Sequence, residues 1–398
     1  MGPGRSPGGG ARVLLGLLSL LVGAAIWLPC LHLVFRADPT PVLDHTMVSR
    51  QAQALAARHL QLWRDPDLQA RDIAPMRRTN PEMVFMGRSF LVWGLANLAR
   101  RDPAREGELL QVIDQIIAAT VAEEDTHGIY HFLMSYADAS PWVQQPPRSL
   151  FVDSEIALML GLRRLVAERE DYRPLMTERI QVMRRRMEQA PLLCAESYPD
   201  ECWTFDCANA LAAMRVADVL DGSDHRPLMR AWVARARERL LEPRTGLLVS
   251  CFTFDGEEIT HGPEGSTIWQ TTHALALVDP DLAREQYQRA RSLLGRSLLG
   301  FGVAREWPVE LRGHQDVDSG MIIPIIDASP SSSGLALVAA STFGDGRFLG
   351  ELLASLELAA LPVREGETLR YGASNQVGDA VLLYALTTGP LWQQVGAP

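Results

Sequence analysis

Residues 82–100 read Glu-Met-Val-Phe-Met-Gly-Arg-Ser-Phe-Leu-Val-Trp-Gly-Leu-Ala-Asn-Leu-Ala-Arg. Met83, Met86, Phe90, Leu91, Trp93, Leu95 and Leu98 recur at three- and four-residue spacing, the signature of a helix with one broad buried face. The same period recurs along the chain, predicting helices at roughly 44–62, 82–100, 107–124, 153–168, 173–189, 205–220, 225–241, 267–278, 281–298, 334–344, 347–359 and 377–387. Asp102-Pro103 and Asp279-Pro280 mark helix starts, because proline in a first turn forfeits an N–H that had no partner there. Gly222 and Gly344 stand where helices end. Strand signals are sparse: 246–254 before an Asp255-Gly256 turn, and Ile322–Ile326.

Twelve helices joined by short turns make six hairpins, each with an apolar face to cover. Closing them into a ring covers every face at once, so the expected fold is all-α, an (α/α)6 barrel. An open solenoid is the alternative, and the lack of a repeated motif weighs against it. The long connections, 125–152, 190–204, 242–266 and 299–333, should gather at one end and build the pocket.

Val13–Phe35 is 23 residues without a charge, long enough to cross a bilayer. Arg5 and Arg12 precede it and Arg36 follows, which favours a cytoplasmic N-terminus and a periplasmic or extracellular body. A cleaved signal peptide is the rival reading, disfavoured by the length of the run and the absence of a clear small-x-small site. The expected division is a lead and transmembrane anchor at 1–36, a linker and first helix at 37–75, and the rest of the barrel at 76–398. The chain has 398 residues and a net charge of −10, with three arginines in the first 36. So acidic a body, without a basic stripe, excludes nucleic acid as a natural partner.

Loop 299–333 is the richest in chemistry. It carries Glu306, His314, Asp316 and Asp318, then Ser333 before the next helix. Asp316 and Asp318 share a face of an extended segment, and two close carboxylates hold one proton between them, which makes an acid. The plainer reading is a polar loop whose aspartates bind backbone N–H groups. Cys194, Cys202 and Cys207 lie within fourteen residues. A disulfide, buried thiols and an active-site thiol stay open as readings; spacings of eight and five do not suit zinc, and no metal is expected. Asp153-Ser-Glu155 reads first as a helix start, and His273 as a core histidine. Zinc-peptidase, P-loop, dinucleotide-binding and nucleophile-elbow motifs are absent.

Several colinear stretches resemble the bacterial linalool dehydratase/isomerase family: Thr79-Asn-Pro-Glu-Met-Val with Ser89-Phe-Leu-Val-Trp, Glu155–Leu162, Pro199-Asp with Cys207-Ala-Asn-Ala, Ile268-Trp-Gln-Thr-Thr-His, Arg305-Glu306 with Asp316-Val-Asp-Ser-Gly, and Leu369-Arg-Tyr371. The resemblance covers roughly residues 75–390. It implies an (α/α)6 barrel and a cofactor-free lyase or isomerase that removes or adds water on a small apolar or terpenoid alcohol. Cys207 matches a family active-site cysteine; the second falls nearest Ser197, with Cys202 close by. Glu155 stands where the family has a catalytic histidine, Trp269 in place of a pocket tyrosine and His273 in place of a pocket tryptophan. The family's N-terminal aspartate falls near Asp65, Asp67 and Asp72.

The expected site therefore has Glu155, Cys207, Asp316 and Asp318 as catalytic groups, with Trp269, His273, Glu306, Tyr371 and Cys202 around the substrate. A homo-oligomer is compatible with this reading. The alternatives are a carbohydrate-active barrel with paired carboxylates, in which Trp142, Trp203, Trp269 and Trp307 stack on sugars, and an anchored binding protein without catalysis.

Overall fold

The computed structural model describes residues 9–311 and 321–396. Twelve helices among them make two concentric layers: α1 (Arg50–Arg64), α2 (Pro81–Arg101), α3 (Glu106–His127), α4 (Leu150–Val166), α5 (Tyr172–Gln189), α6 (Thr204–Asp221), α7 (Arg226–Arg239), α8 (Gly265–Leu275), α9 (Pro280–Leu293), α10 (Pro330–Thr342), α11 (Gly346–Ala359) and α12 (Gln376–Thr387). The even-numbered helices pack side by side in a closed ring, with α12 returning to α2. The fold is an (α/α)6 barrel.

The local signals act as their chemistry dictates. Asp279 caps α9 by accepting the Leu282 N–H at 2.8 Å. Gly222 ends α6 at φ 68°, where a side chain would be strained. Two capping expectations shift: Ser329, not Ser333, caps α10, and Ser149, not Asp153, caps α4. Inner helices approach closely where side chains vanish. A Cβ on Gly161 of α4 would lie 2.7 Å from Val216 Cγ1 on α6 and 2.9 Å from Met176 Cε on α5.

The ends of the ring are stitched by Arg101, whose buried guanidinium donates to the carbonyls of Pro41 (3.0 Å), Val42 (3.1 Å), Met47 (3.0 Å) and Thr388 (2.6 Å). The segment before α1 is thereby bound to the segment after α12.

Three small antiparallel sheets decorate the loops. β1 (Cys202–Trp203), β2 (Cys251–Phe252) and β3 (Ile259–His261) form one; β4 (Gly295–Leu298) pairs with β5 (Phe301–Ala304), and β6 (Pro362–Glu365) with β7 (Thr368–Tyr371). The expected helix 281–298 stops at Leu293 because Leu299 (φ 51°) and Gly300 (φ 83°) turn the chain into the β4–β5 hairpin. The expected strand at 246–254 contracts to Cys251–Phe252, and at 322–326 only an isolated bridge, Ile323 to Ala328, forms.

Ahead of the barrel, the helix Gly9–Leu31 is long and apolar enough to cross a membrane, and none of its residues is buried among the described residues. It ends before the expected Phe35; residues 32–35 make turns against the β4–β5 hairpin.

Candidate active site

A cavity of about 590 Å³ opens at the N-terminal end of the inner ring. Every inner helix presents its first turn: Met83 of α2, Phe151 of α4, Asp206 of α6, Thr267 of α8, Ser331 of α10 and Val377 of α12. Helix N-termini carry partial positive charge, so six of them favour negative charge at this end. Three of the four long loops supply Tyr136, Tyr198 and Ile323 to the wall, as their lengths led us to expect; the connection 242–264 supplies none, and Ser266 comes from the first turn of α8. Most of the lining is apolar; Ser331, Ser333, Ser355 and Asn375 are spread around it, and its carboxylates are Glu82 and Asp206.

Five of the polar lining residues are carboxylates or polar aromatic rings: Glu82, Tyr136, Tyr198, Trp203 and Asp206. Glu82, in the first turn of α2, accepts the Tyr198 hydroxyl, which in turn accepts the Met134 backbone N–H at 3.0 Å. Tyr136 stacks on Tyr198 with ring centroids 4.9 Å apart and planes 17° from parallel. Trp203 donates its indole N–H to Glu201 at 3.1 Å, and Asp206 completes the wall. Burial raises the Glu201 carboxyl above its ordinary range.

Of the expected catalytic groups, Glu155 comes nearest. It lies one helical turn deeper than Phe151, fully buried, and accepts the Asn209 amide at 3.0 Å. Asn209 accepts in turn from Gln270 at 3.2 Å. Burial pushes the Glu155 carboxyl up to about 8, with the charge of Asp206 adding to the effect, so it is protonated at neutral pH. Asp316, Asp318 and His314 lie outside the described residues.

The other expected groups are placed elsewhere. Cys207 is buried with its Sγ toward the Leu193 carbonyl at 3.7 Å, outside the cavity lining. Cys202 points its thiol at the Cys194 carboxyl-side carbonyl at 3.3 Å. All five cysteines are free thiols; burial raises Cys194, Cys207 and Cys251 above the usual thiol range, and the hydrogen bond with Cys194 together with burial raises Cys202, which suits packing rather than nucleophilic attack. Trp269 is buried, donating its indole N–H to Ser332 at 2.9 Å. His273 sits beyond the cavity, stacked on Trp392 at 4.4 Å, bonded to Thr342 and Tyr384 at 2.6 Å each. The Thr342 hydroxyl donates to Val338, so Nδ1 of His273 carries the proton and Nε2 accepts from Tyr384. Burial depresses His273 to about 3 and keeps it neutral. Tyr371 donates to Glu357 at 2.9 Å in the outer shell. Glu306 borders the cavity as a strut, accepting the Ser266 N–H (2.9 Å) and the Ser329 hydroxyl (2.7 Å) and so tying α8 to α10; burial raises it to about 7.

Residue-level reasoning missed Glu82, Tyr136, Tyr198 and Asp206 as site groups. An acid in a first helical turn reads as dipole compensation, and only the shared cavity separates that from a site. No group of three or more His, Cys, Asp or Glu side chains among the described residues is arranged to hold a metal.

No family model matches this chain. Solved structures share its fold: a GH76 α-mannanase of Bacteroides thetaiotaomicron (12% identity, TM-score 0.51, covering 78% of this chain and 86% of that one) and an unsaturated glucuronyl hydrolase of Bacillus sp. GL1 (14% identity, TM-score 0.51, covering 75% and 84%). These neighbours are enzymes. The expected terpenoid-alcohol dehydratase or isomerase is corrected here: the structural neighbours are glycoside hydrolases, and Glu155 and Cys207 do not meet on the cavity wall.

Proposed function

We propose that this chain is a carbohydrate-active enzyme held at a membrane by Gly9–Leu31, with the barrel on the periplasmic or extracellular side. The observation that carries this reading is the carboxylate and aromatic wall at the cavity mouth. Sugar rings present faces of C–H groups that aromatic rings cover, and hydroxyls that carboxylates bind. Tyr136, Tyr198 and Trp203 offer the first surface, Glu82 and Asp206 the second. The shared fold with two glycan-cleaving enzymes supports the same class.

In this reading Asp206 exchanges the proton with the glycosidic oxygen, and Glu82, which accepts the Tyr198 hydroxyl, is its paired carboxylate. Protonated Glu155 is a positioning residue beneath Asp206 that presents no second negative charge to it.

The test is product release from a panel of oligosaccharides that includes α-mannans and unsaturated glucuronides. Asp206→Asn should lower kcat by about 100-fold or more, the usual contribution of an acid–base group. Folded wild-type protein inert on the whole panel, or turnover unchanged in both Asp206→Asn and Glu82→Gln, would refute the reading.

A further inference from the structure

The apolar side of the cavity opens where the N-terminal helix meets the barrel. Just after that helix ends, the His32 ring packs edge-on against Phe301 at 6.4 Å, and the Phe35 ring lies 6.4 Å from the same side chain. Gly300 makes this approach possible, since a Cβ there would come within 2.3 Å of His32. The next two residues of β5, Gly302 and Val303, line the cavity. Arg296 of β4 donates to the Ile326 carbonyl at 2.6 Å, which fastens the hairpin to the segment 321–328. That segment carries Met321 (76% exposed) and Ile323 on the cavity wall and Ile325 (95% exposed) at its rim. Leu298 and Leu299 at the hairpin tip are also exposed, as is Val34.

Two independent facts thus coincide. A 23-residue helix spans about 34 Å, close to the thickness of a bilayer's hydrocarbon core, so residues 32–35 emerge at the level of the headgroups. The groups they touch form the apolar rim of the cavity. Large exposed side chains grouped on two fastened loops are what a lipid surface covers.

We propose that the rim formed by residues 298–301 and 321–326 enters the membrane surface, and that the cavity takes an amphiphilic substrate from it: a sugar carried on a hydrocarbon chain. The sugar reaches Glu82, Tyr198 and Asp206, while the chain lies along Ile323, Ile326 and Leu356. The seating on lipid stands on the geometry alone; the sugar rests on the function proposed above.

The experiment uses the full chain in vesicles of phosphatidylcholine and phosphatidylglycerol, with Cys30, the exposed native thiol, replaced by serine. Nitroxides are placed through Leu299→Cys, Ile325→Cys and, past the opposite end of α4, Glu170→Cys. Labels at 299 and 325 should collide with oxygen and be shielded from a water-soluble nickel chelate, and the label at 170 should do the reverse. Equal nickel access at all three positions would overturn the lipid seat. With the chain in the same vesicles, and after subtraction of partition into protein-free vesicles, a dodecyl glycoside below its micelle concentration should bind at least tenfold more tightly than the methyl glycoside of the same sugar, and Ile323→Asp should erase the difference. Equal affinity for the two glycosides would overturn the chain subsite. Dodecyl phosphocholine binding as tightly as the dodecyl glycoside would instead remove the sugar, and with it the carbohydrate reading, while leaving the lipid-facing rim in place.

Discussion

The Glu155 carboxyl accepts the Asn209 side-chain amide at 3.0 Å in the centre of the helical ring, one turn beneath the cavity that Asp206 faces. A carboxyl so buried keeps its proton to about pH 8 in the folded chain, whereas it loses it near 4.5 in water. Between those values the folded state binds the extra proton, so this group's stabilising contribution is full below about pH 4.5 and fades as pH rises toward 8. The slope it contributes is about 1.4 kcal/mol per pH unit in that window. Glu155→Gln should flatten the fall in Tm between pH 5 and 8; a variant with the wild-type slope would show that Glu155 ionises freely.

His273 acts in the opposite direction. Held neutral down to about pH 3 by burial, it binds no proton in the folded state where the unfolded chain takes one up below about 6.5. Stability is lost as pH falls from 6.5 toward 3. Replacing His273 with glutamine should reduce acid sensitivity in urea titrations at pH 4 and 7, even if the variant is weaker at both.

Arg101 joins the two ends of the ring through four carbonyls. Arg101→Met leaves these groups without their donor and should cost about 3 kcal/mol or more, read as a shift of the denaturant midpoint. Arg101→Lys should recover little, because an ammonium on a single stem cannot reach carbonyls on both sides as the planar fork does.

Gly161 tests the packing of α4 against α6. Alanine gains helix propensity of about 1 kcal/mol, yet its Cβ must displace Val216 and Met176. Overpacking of this kind costs about 1–3 kcal/mol, so Gly161→Ala should be destabilising on balance, and Gly161→Ala with Val216→Ala should recover part of the loss.

Tyr198→Phe removes the hydroxyl that binds Glu82 while keeping the ring stacked on Tyr136. In the proposed reaction this should lower kcat with little change in KM, because the hydroxyl that orients the Glu82 carboxylate is lost while the stacking surface stays. An unchanged kcat would separate Glu82 from the chemistry.

The amino-acid sequence alone determined the twelve helices of the two layers, though not the short ones at Pro66–Asp72, Ala74–Thr79 and Pro390–Gly396, because the 3.6-residue period of apolar side chains is a local property: the stretch 82–100 names its own buried face. It also determined where loops long enough to build a pocket lie. It misplaced the end of α9, because Leu298-Leu299 continues an apolar pattern while the turn at Gly300 is set by the close approach of His32. Only the tertiary structure decided the site. Glu82 and Asp206 each look like ordinary first-turn acids, Cys207 like a reactive thiol and Trp269 like a pocket residue, until ring closure turns the first pair inward to one cavity and the other two into the packed shell, where His273 sits as the core histidine its apolar neighbours suggested. The physical reason is that a helix's period says which residues share a face, but which end of that face meets open space depends on neighbours far away in the chain.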